Sequence, residues 1–265
     1  MVQKFIKRLV GRRLTSFSRA YSAVPGLWFR ELHKILTLIR YGQRYADYPE
    51  VLLSRLRTQA HILDKGLQAD DWNLGRGHAQ YELLCEYIDR LKDTNLTEDP
   101  SYQWALKKKA EYEDAQKTGL PHHDSMKLAP IRVSKDDLLH LIQSRRSIRS
   151  FQDRPIELEI LKELANIISW SPTSCNRQPT KLFITQNSDK VATCLRQCAG
   201  ATCLGRAIPC FIAVCADSRF YMAQDRHLLF IDASLGVQNM LLLAHSQGIE
   251  GTVLNWMHHT KLEER

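Results

Sequence analysis

A chain of 265 residues is long enough for one large domain, or for one domain with an extension, and it can bury a sizeable core. With 44% hydrophobic and 25% charged residues its composition is that of a soluble globular protein, which argues against wholesale disorder and against a multi-span membrane protein. The net charge of +8 is concentrated at one end: residues 1–44 hold ten Lys/Arg against Glu31 alone, and the remaining 27 basic and 28 acidic residues nearly cancel.

The basicity therefore describes the N-terminus, and no nucleic-acid partner is expected. No uninterrupted apolar run reaches the roughly 18–20 residues that span a bilayer. Lys4, Lys7, Arg8, Arg12 and Arg13 break up the first apolar positions, so no secretory signal is read and a cytoplasmic location is expected. Five of the seven cysteines (Cys194, Cys198, Cys203, Cys210 and Cys215) fall within 22 residues, yet none forms a C-x-x-C pair. Neither a zinc ribbon nor an iron–sulfur cluster is indicated, no metal is expected, and the thiols read as reduced and partly buried.

In chain order, Val2, Phe5, Ile6, Leu9 and Val10 recur at helical spacing with Lys4, Lys7 and Arg8 off that stripe. A basic amphipathic helix over residues 1–20 suits an anionic membrane surface, an organelle import sequence, or docking on its own domain. Helical patterning continues over 27–64, with Gly66 placed to end it. A polar stretch over 68–77 precedes a second helix, about His78 to Leu91, and a connecting region over 93–133 holds one helix near 101–117. Residues 1–130 are thus expected to form a helical extension.

From residue 131 the pattern alternates. Ser134 with Asp137 resembles a capping box opening a helix to about Arg146. Residues 157–170 read as a helix, Lys181–Gln186 as a strand, and Ser188–Ala199 as a helix. The apolar run Ile208–Ala216 suits a buried strand. Asp225–Gln247 reads as a long helix, apolar almost all round over its middle, and is expected to be buried on every side, as at a subunit interface. Gly248 caps it, and Gly251–Trp256 reads as a last strand. An α+β fold follows.

Two segments carry chemistry. Arg145-Arg146-Ser147-Ile148-Arg149-Ser150-Phe151 packs three guanidiniums and two hydroxyls at the end of a helix. Guanidinium forks give charge-assisted bonds to phosphate oxygens, although the same cations also complement a helix dipole. Ser171-Pro172-Thr173-Ser174-Cys175-Asn176-Arg177-Gln178-Pro179 is a polar loop whose hydroxyls and amides both donate and accept, or an ordinary capped turn. The two together read as one site for a ligand with a phosphate at one end and a polar heterocycle at the other.

In this order, and followed by a strand, a long helix and Gly248–Trp256, these segments resemble the nitroreductase family over residues 136–257. That resemblance implies FMN-dependent oxidoreductases that take hydride from NAD(P)H as co-substrate. It also implies homodimers with a central, mostly antiparallel sheet flanked by helices and a long buried dimer helix. The family's R-x-S-x-(R/K) stretch, which holds the FMN phosphate and the pyrimidine side of the flavin, matches Arg145, Ser147 and Arg149, with Arg146 between them. Its S-P-(S/T)-S-x-N-x-Q-P loop, which reaches the flavin largely from the other subunit, matches Pro172, Thr173, Ser174, Asn176 and Gln178. Its strand near flavin N5 matches Val253, Leu254 and Asn255.

No Ser-His-Asp or Cys-His constellation is read, and none is required, because hydride chemistry belongs to the flavin; no side chain is named as catalytic. The acceptor is expected to be a small molecule. His61-Ile62-Leu63-Asp64-Lys65-Gly66-Leu67 is similar to the extension of the branch associated with polysaccharide biosynthesis. There His61, Asp64 and Lys65 either line a substrate-side pocket or tie two helices together. Family members continue past the last strand with a further strand and a basic segment, so a chain ending at Arg265 is expected to be a C-terminally shortened copy or a fragment. A non-catalytic flavin-binding or interaction subunit at the membrane is the alternative expectation.

Overall fold

The computed structural model describes residues 29–256, apart from residues 30, 34, 122–128 and 206. The expected amphipathic helix over residues 1–20 lies outside the described residues.

After a helical stretch at 35–44, three helices pack together: α1 (Pro49–Leu67), α2 (His78–Leu91) and α3 (Pro100–Thr118). Their ends are set locally. Pro49 and Pro100 sit in the first turns, where a missing N–H costs nothing. The Asp99 carboxylate accepts the Ser101 amide at 2.8 Å, and Gly119 closes α3 in the left-handed region at φ 71°. The helices share a core of Leu52, Leu56, Leu63, Leu84, Leu91, Tyr102 and Ala105, all nearly or fully buried. Asp64 spans α1 and α3 by pairing with the buried Lys108 at 2.7 Å, and Glu111 binds the same ammonium at 2.8 Å. Burial alone would lower the Lys108 pKa; the bonds to the two carboxylates outweigh it and raise it. Asp64 therefore ties two helices. Lys65 instead borders a shallow depression with Ile62, Arg76 and Gln80.

The second half is built on α4 (Lys135–Ser144), α5 (Leu158–Asn166), β1 (Thr180–Thr185), α6 (Ser188–Leu195), β2 (Cys198–Ala199), β3 (Phe211–Ala216), α7 (Leu228–Ser246) and β4 (Asn255–Trp256). The expected cap is present, with the Ser134 hydroxyl accepting the Asp137 amide at 3.1 Å. β1 and β3 pair antiparallel from Thr180↔Ala216 to Thr185↔Phe211, and β2 pairs antiparallel with β4. Leu164 and Ile168, from α5 and the 3-10 turn Ile167–Trp170, meet Met240 and Ala244 of α7, with Leu182, Ile212 and Val214 of the sheet around them. The two halves touch where α1 reaches the polar loop. Ser54, 1% exposed, donates its hydroxyl to the Arg177 carbonyl at 3.4 Å, and Glu50 pairs with Arg219 at 3.3 Å.

Several expectations change. Among the described residues the sheet is two separate antiparallel pairs, not one central sheet. The helix from Ser188 stops at Leu195, because Cys198 and Ala199 are taken by β4. β3 is only partly buried, with Cys215 exposed, since its apolar side chains have a helix layer on one face alone. Gly251–Trp256 is not a continuous strand: Gly251 makes an isolated parallel bridge to Ser147, and regular pairing begins at Asn255.

The largest change concerns α7. Only Asp232, Gly236, Met240 and Ala244 are buried, a stripe at intervals of one turn, while Phe230 is 57% and Ile231 53% exposed. By length and composition α7 is also apolar enough to cross a membrane. Its buried stripe is nevertheless spent inside the protein: Asp232 is hydrogen-bonded, and Gly236 lies against Ile168. The apolar periphery expected to be buried on every side is covered on one side by this chain.

Candidate functional site

The polar loop is held from beneath by two carboxylates that the sequence motif does not contain. Asp232, 3% exposed, accepts the Ser174 backbone amide at 3.0 Å and the Tyr221 hydroxyl at 2.6 Å through the same oxygen. Burial pushes the Tyr221 phenol well above its ordinary range, and the bond to Asp232 adds to it. Asp225 accepts from Arg177 at 2.8 Å, and the same guanidinium donates to the Ser174 hydroxyl at 2.9 Å and lies over the Tyr221 ring. Arg177 and Cys175 belong to the motif yet were not singled out as site residues; Arg177 is a buried brace.

Three residues of this loop, Cys175 (φ 50°), Asn176 (φ 54°) and Gln178 (φ 51°), occupy the left-handed region. Each costs on the order of 1 kcal/mol without a compensating contact. The compensation is visible. The Gln178 amide group donates to the Asn176 side-chain oxygen at 3.0 Å, and the Gln178 backbone N–H donates to the Thr173 hydroxyl at 3.1 Å. Thr173 and Gln178 border an open depression with Ile168, Ser169, Thr180 and Leu182. The buried Thr180 hydroxyl there has no hydrogen-bond partner among the described residues.

The basic segment follows α4. Ser147 bridges Gly251, the Ile148 amide donates to the Gly251 carbonyl at 3.2 Å, and the Gly205 amide donates to the Arg149 carbonyl at 2.8 Å. The fold thus brings the basic segment to the start of the last motif, where Val253 and Asn255 are exposed and Leu254 is half-buried. Among the described residues Arg146 donates to the Gln143 and Arg145 carbonyls and Arg149 to the Ser147 carbonyl, and no carboxylate pairs with Arg145, Arg146 or Arg149. This contrasts with Arg57, Arg76, Arg90, Arg177 and Arg219, each of which has an acidic partner. Guanidiniums have no acceptor, and the serine hydroxyl beside them can donate, so this surface suits an anion.

A constellation absent from the sequence reading lies immediately behind this segment. The Ser144 hydroxyl is 2.8 Å from His245 Nε2, and His245 Nδ1 bonds Glu250. It has the composition of a Ser–His–acid triad without the setting of one. Ser144 is the last residue of α4, where the helix carbonyls oppose an alkoxide, and its hydroxyl also lies 3.3 Å from the Leu141 carbonyl.

The two halves of the expected single site stand apart in this chain. The polar loop is anchored to Asp232 near the start of α7, and the basic segment to His245 in its last turn. At about 1.5 Å per residue these anchors are roughly 20 Å apart along the helix.

Residues 142–202 match the sequence profile described as the nitroreductase family. A protein of Methanothermobacter thermautotrophicus, provisionally named an NADH dehydrogenase/NAD(P)H nitroreductase, is 30% identical over 134 residues, covering 51% of this chain and 67% of that protein. The chain belongs to the nitroreductase family. The FMN reductase [NAD(P)H] of Bacillus subtilis is a further relative at 26% identity, matched over 43% of this chain and 46% of that enzyme. A crystal structure from Parabacteroides distasonis, provisionally named like the archaeal protein, aligns at 30% identity with a TM-score of 0.38, over 42% of this chain and 62% of that one. A Desulfovibrio desulfuricans nitroreductase crystallised with FMN aligns at 25% identity and a TM-score of 0.39. The chain spans less than two thirds of both the Bacillus enzyme and the Parabacteroides structure.

Burial pushes the Cys210 thiol up to about 11 and raises that of Cys198 as well, which keeps both protonated and poor as nucleophiles. Among the described residues no three His, Cys, Asp or Glu side chains are grouped as a metal site needs.

Proposed function

We propose that the protein is an FMN-dependent oxidoreductase that takes hydride from NAD(P)H and passes it to a small-molecule acceptor. The observation that carries this reading is the cluster of Arg145, Arg146 and Arg149, cations with no acidic partner among the described residues, around Ser147 on a segment pinned to Gly251. These groups fit the phosphate of FMN: they are donors without acidic partners among the described residues, on backbone fixed by the Ile148 amide. FMN, when bound, supplies the acceptance and release of hydride. The protein's part is to hold and orient. Arg145 and Ser147 grip the phosphate, Arg149 favours negative charge on the pyrimidine side, and the Pro172–Gln178 loop presents amide and hydroxyl groups to the polar edge.

Because the loop and the basic segment stand at opposite ends of α7, the complete site is read as shared between two copies of the chain. The apolar face of α7 carrying Phe230, Ile231 and Leu235 is the surface on which the second copy would sit. Cell-surface polysaccharide metabolism as the source of the acceptor, and a peripheral membrane contact through residues 1–20, rest on the sequence readings alone.

The deciding experiment is a titration of the purified protein with FMN, followed by NADPH oxidation with a nitroaromatic or quinone acceptor. Uptake of FMN with turnover is expected. A protein that takes up no FMN sinks the proposal, and one that binds FMN without turnover supports a non-catalytic flavin-binding subunit instead.

A further inference from the structure

We infer that His245 is a positioning residue for the anion-binding segment, holding Arg145 and Ser147 in register through Ser144 on one side and Glu250 on the other. The inference rests on the flavin reading above and adds to it a group outside the motifs that carry that reading.

The argument starts from chain connectivity. Ser144 immediately precedes Arg145, and Glu250 immediately precedes Gly251, the residue that bridges Ser147 and accepts the Ile148 amide at 3.2 Å. The two stretches of backbone that must meet to shape the phosphate grip are therefore each held by one nitrogen of a single ring. A carboxylate only accepts, so Nδ1 carries the proton given to Glu250. Nε2 meets the Ser144 hydroxyl at 2.8 Å. The ring is planar and its side chain is 17% exposed, so the separation of Ser144 from Glu250 follows the ring's own dimensions.

The need for such a brace is local. Between the end of α4 and Ile148 the chain belongs to no regular element except at the Ser147 bridge, and Arg146, Ser147 and Arg149 are exposed. A long side chain on an unsupported segment loses rotamer freedom on gripping a ligand, and fixing its backbone beforehand lowers that cost. His245 itself is fixed, because it lies in the last turn of α7, whose buried stripe is packed in the core. Gly248 turns the chain back behind it at φ 71°, which returns Glu250 to the ring. The ring thus carries the position of the core helix into the anion-binding segment.

A tether that merely stabilised the fold would affect every ligand alike, whereas a brace for the phosphate grip acts on the phosphate. The test compares FMN with riboflavin, which lacks the phosphate, by fluorescence titration of the full chain and of His245→Leu, Ser144→Ala and Glu250→Gln. The unmodified protein is expected to prefer FMN. His245→Leu should weaken FMN about tenfold, as expected for losing charge-assisted bonds, and leave riboflavin within about twofold. Ser144→Ala and the isosteric Glu250→Gln should shift the FMN-to-riboflavin ratio in the same direction. The Ser144→Ala/His245→Leu pair should be no worse than His245→Leu alone, because the three groups act as one unit. The inference is overturned if the variants keep the FMN preference, or if both flavins weaken together, including through loss of fold. Failure of the flavin reading itself would show earlier, as no FMN preference in the unmodified protein.

Discussion

The Ser174 backbone amide donates to the buried Asp232 carboxylate at 3.0 Å, which fixes the polar loop to the first half of α7. The same oxygen takes the Tyr221 hydroxyl at 2.6 Å, so one side chain satisfies two buried donors. Asp232→Ala removes the acceptor and leaves both donors unpaired. A loss of about 3 kcal/mol in urea unfolding is expected, and Tyr221→Phe should cost less, about 1.5 kcal/mol. Equal stability of Asp232→Ala and the unmodified protein would show that the loop is anchored elsewhere.

Gly236 makes a second, steric prediction. A Cβ at this position would stand 2.7 Å from Ile168 Cγ2 and 3.3 Å from the Ser171 hydroxyl, so the helix meets the 3-10 turn only because a hydrogen is there. Gly236→Ala gains about 1 kcal/mol of helix propensity, but overpacking should cost more and leave the protein about 1–2 kcal/mol less stable. In an Ile168→Ala background the same change should become neutral or stabilising. Thermal unfolding of the four proteins gives the sign, and a stabilising Gly236→Ala alone would contradict the packing.

These two residues mark the limit of what the sequence makes legible. Signals that act over a few residues are readable: the Ser134 cap, the α2 boundaries at His78 and Leu91, and the Gly248 turn all lie where local chemistry puts them. The basic segment and the polar loop are likewise visible as runs of residue type. Asp232 is not, because a lone acid in an apolar helix reads as an interruption until Tyr221 and Ser174 are seen beside it. Ser144 and His245 are separated by 101 positions, and no periodicity joins them. The left-handed conformations of Cys175, Asn176 and Gln178 sit in a loop whose neighbouring Ser174 and Arg177 are held by Asp232 and Asp225 far along the chain, so the run of residue types does not announce all three. The one-sided burial of α7 is not legible either, because an all-round apolar helix does not say which chain covers each face.

The Asp217 carboxylate, paired with Arg219 and Lys181, should make stability respond to acid. Burial favours the neutral form of Asp217, but hydrogen bonds from Arg219 and Lys181 outweigh it and hold the carboxyl below its usual range. Its folded pKa therefore lies below the unfolded value of about 3.9, and the unfolded chain takes up the proton first as pH falls. The stabilisation is complete above about pH 4 and is lost as pH drops through the folded pKa. Unfolding midpoints of the unmodified protein and Asp217→Asn, measured from pH 6 to pH 3, should differ at the upper end and converge at the lower. Parallel profiles would mean that Asp217 does not carry this linkage.

The proposed sharing of the site between two copies of the chain has its own consequence for mixed assemblies. Arg145→Ala should weaken FMN by at least about 1.5 kcal/mol through the lost phosphate bond. Asn176→Gly should weaken it through the lost loop amide, while glycine keeps the left-handed backbone without strain. In a symmetric dimer with shared sites, a heterodimer of the two variants has one doubly impaired site and one that is fully intact. The intact site pairs the Arg145 of the loop variant with the Asn176 of the arginine variant. Random pairing makes half the dimers mixed, so co-expression should return about a quarter of the high-affinity FMN sites. If a single chain held the whole site, mixing would return none, because every chain would still carry its own defect.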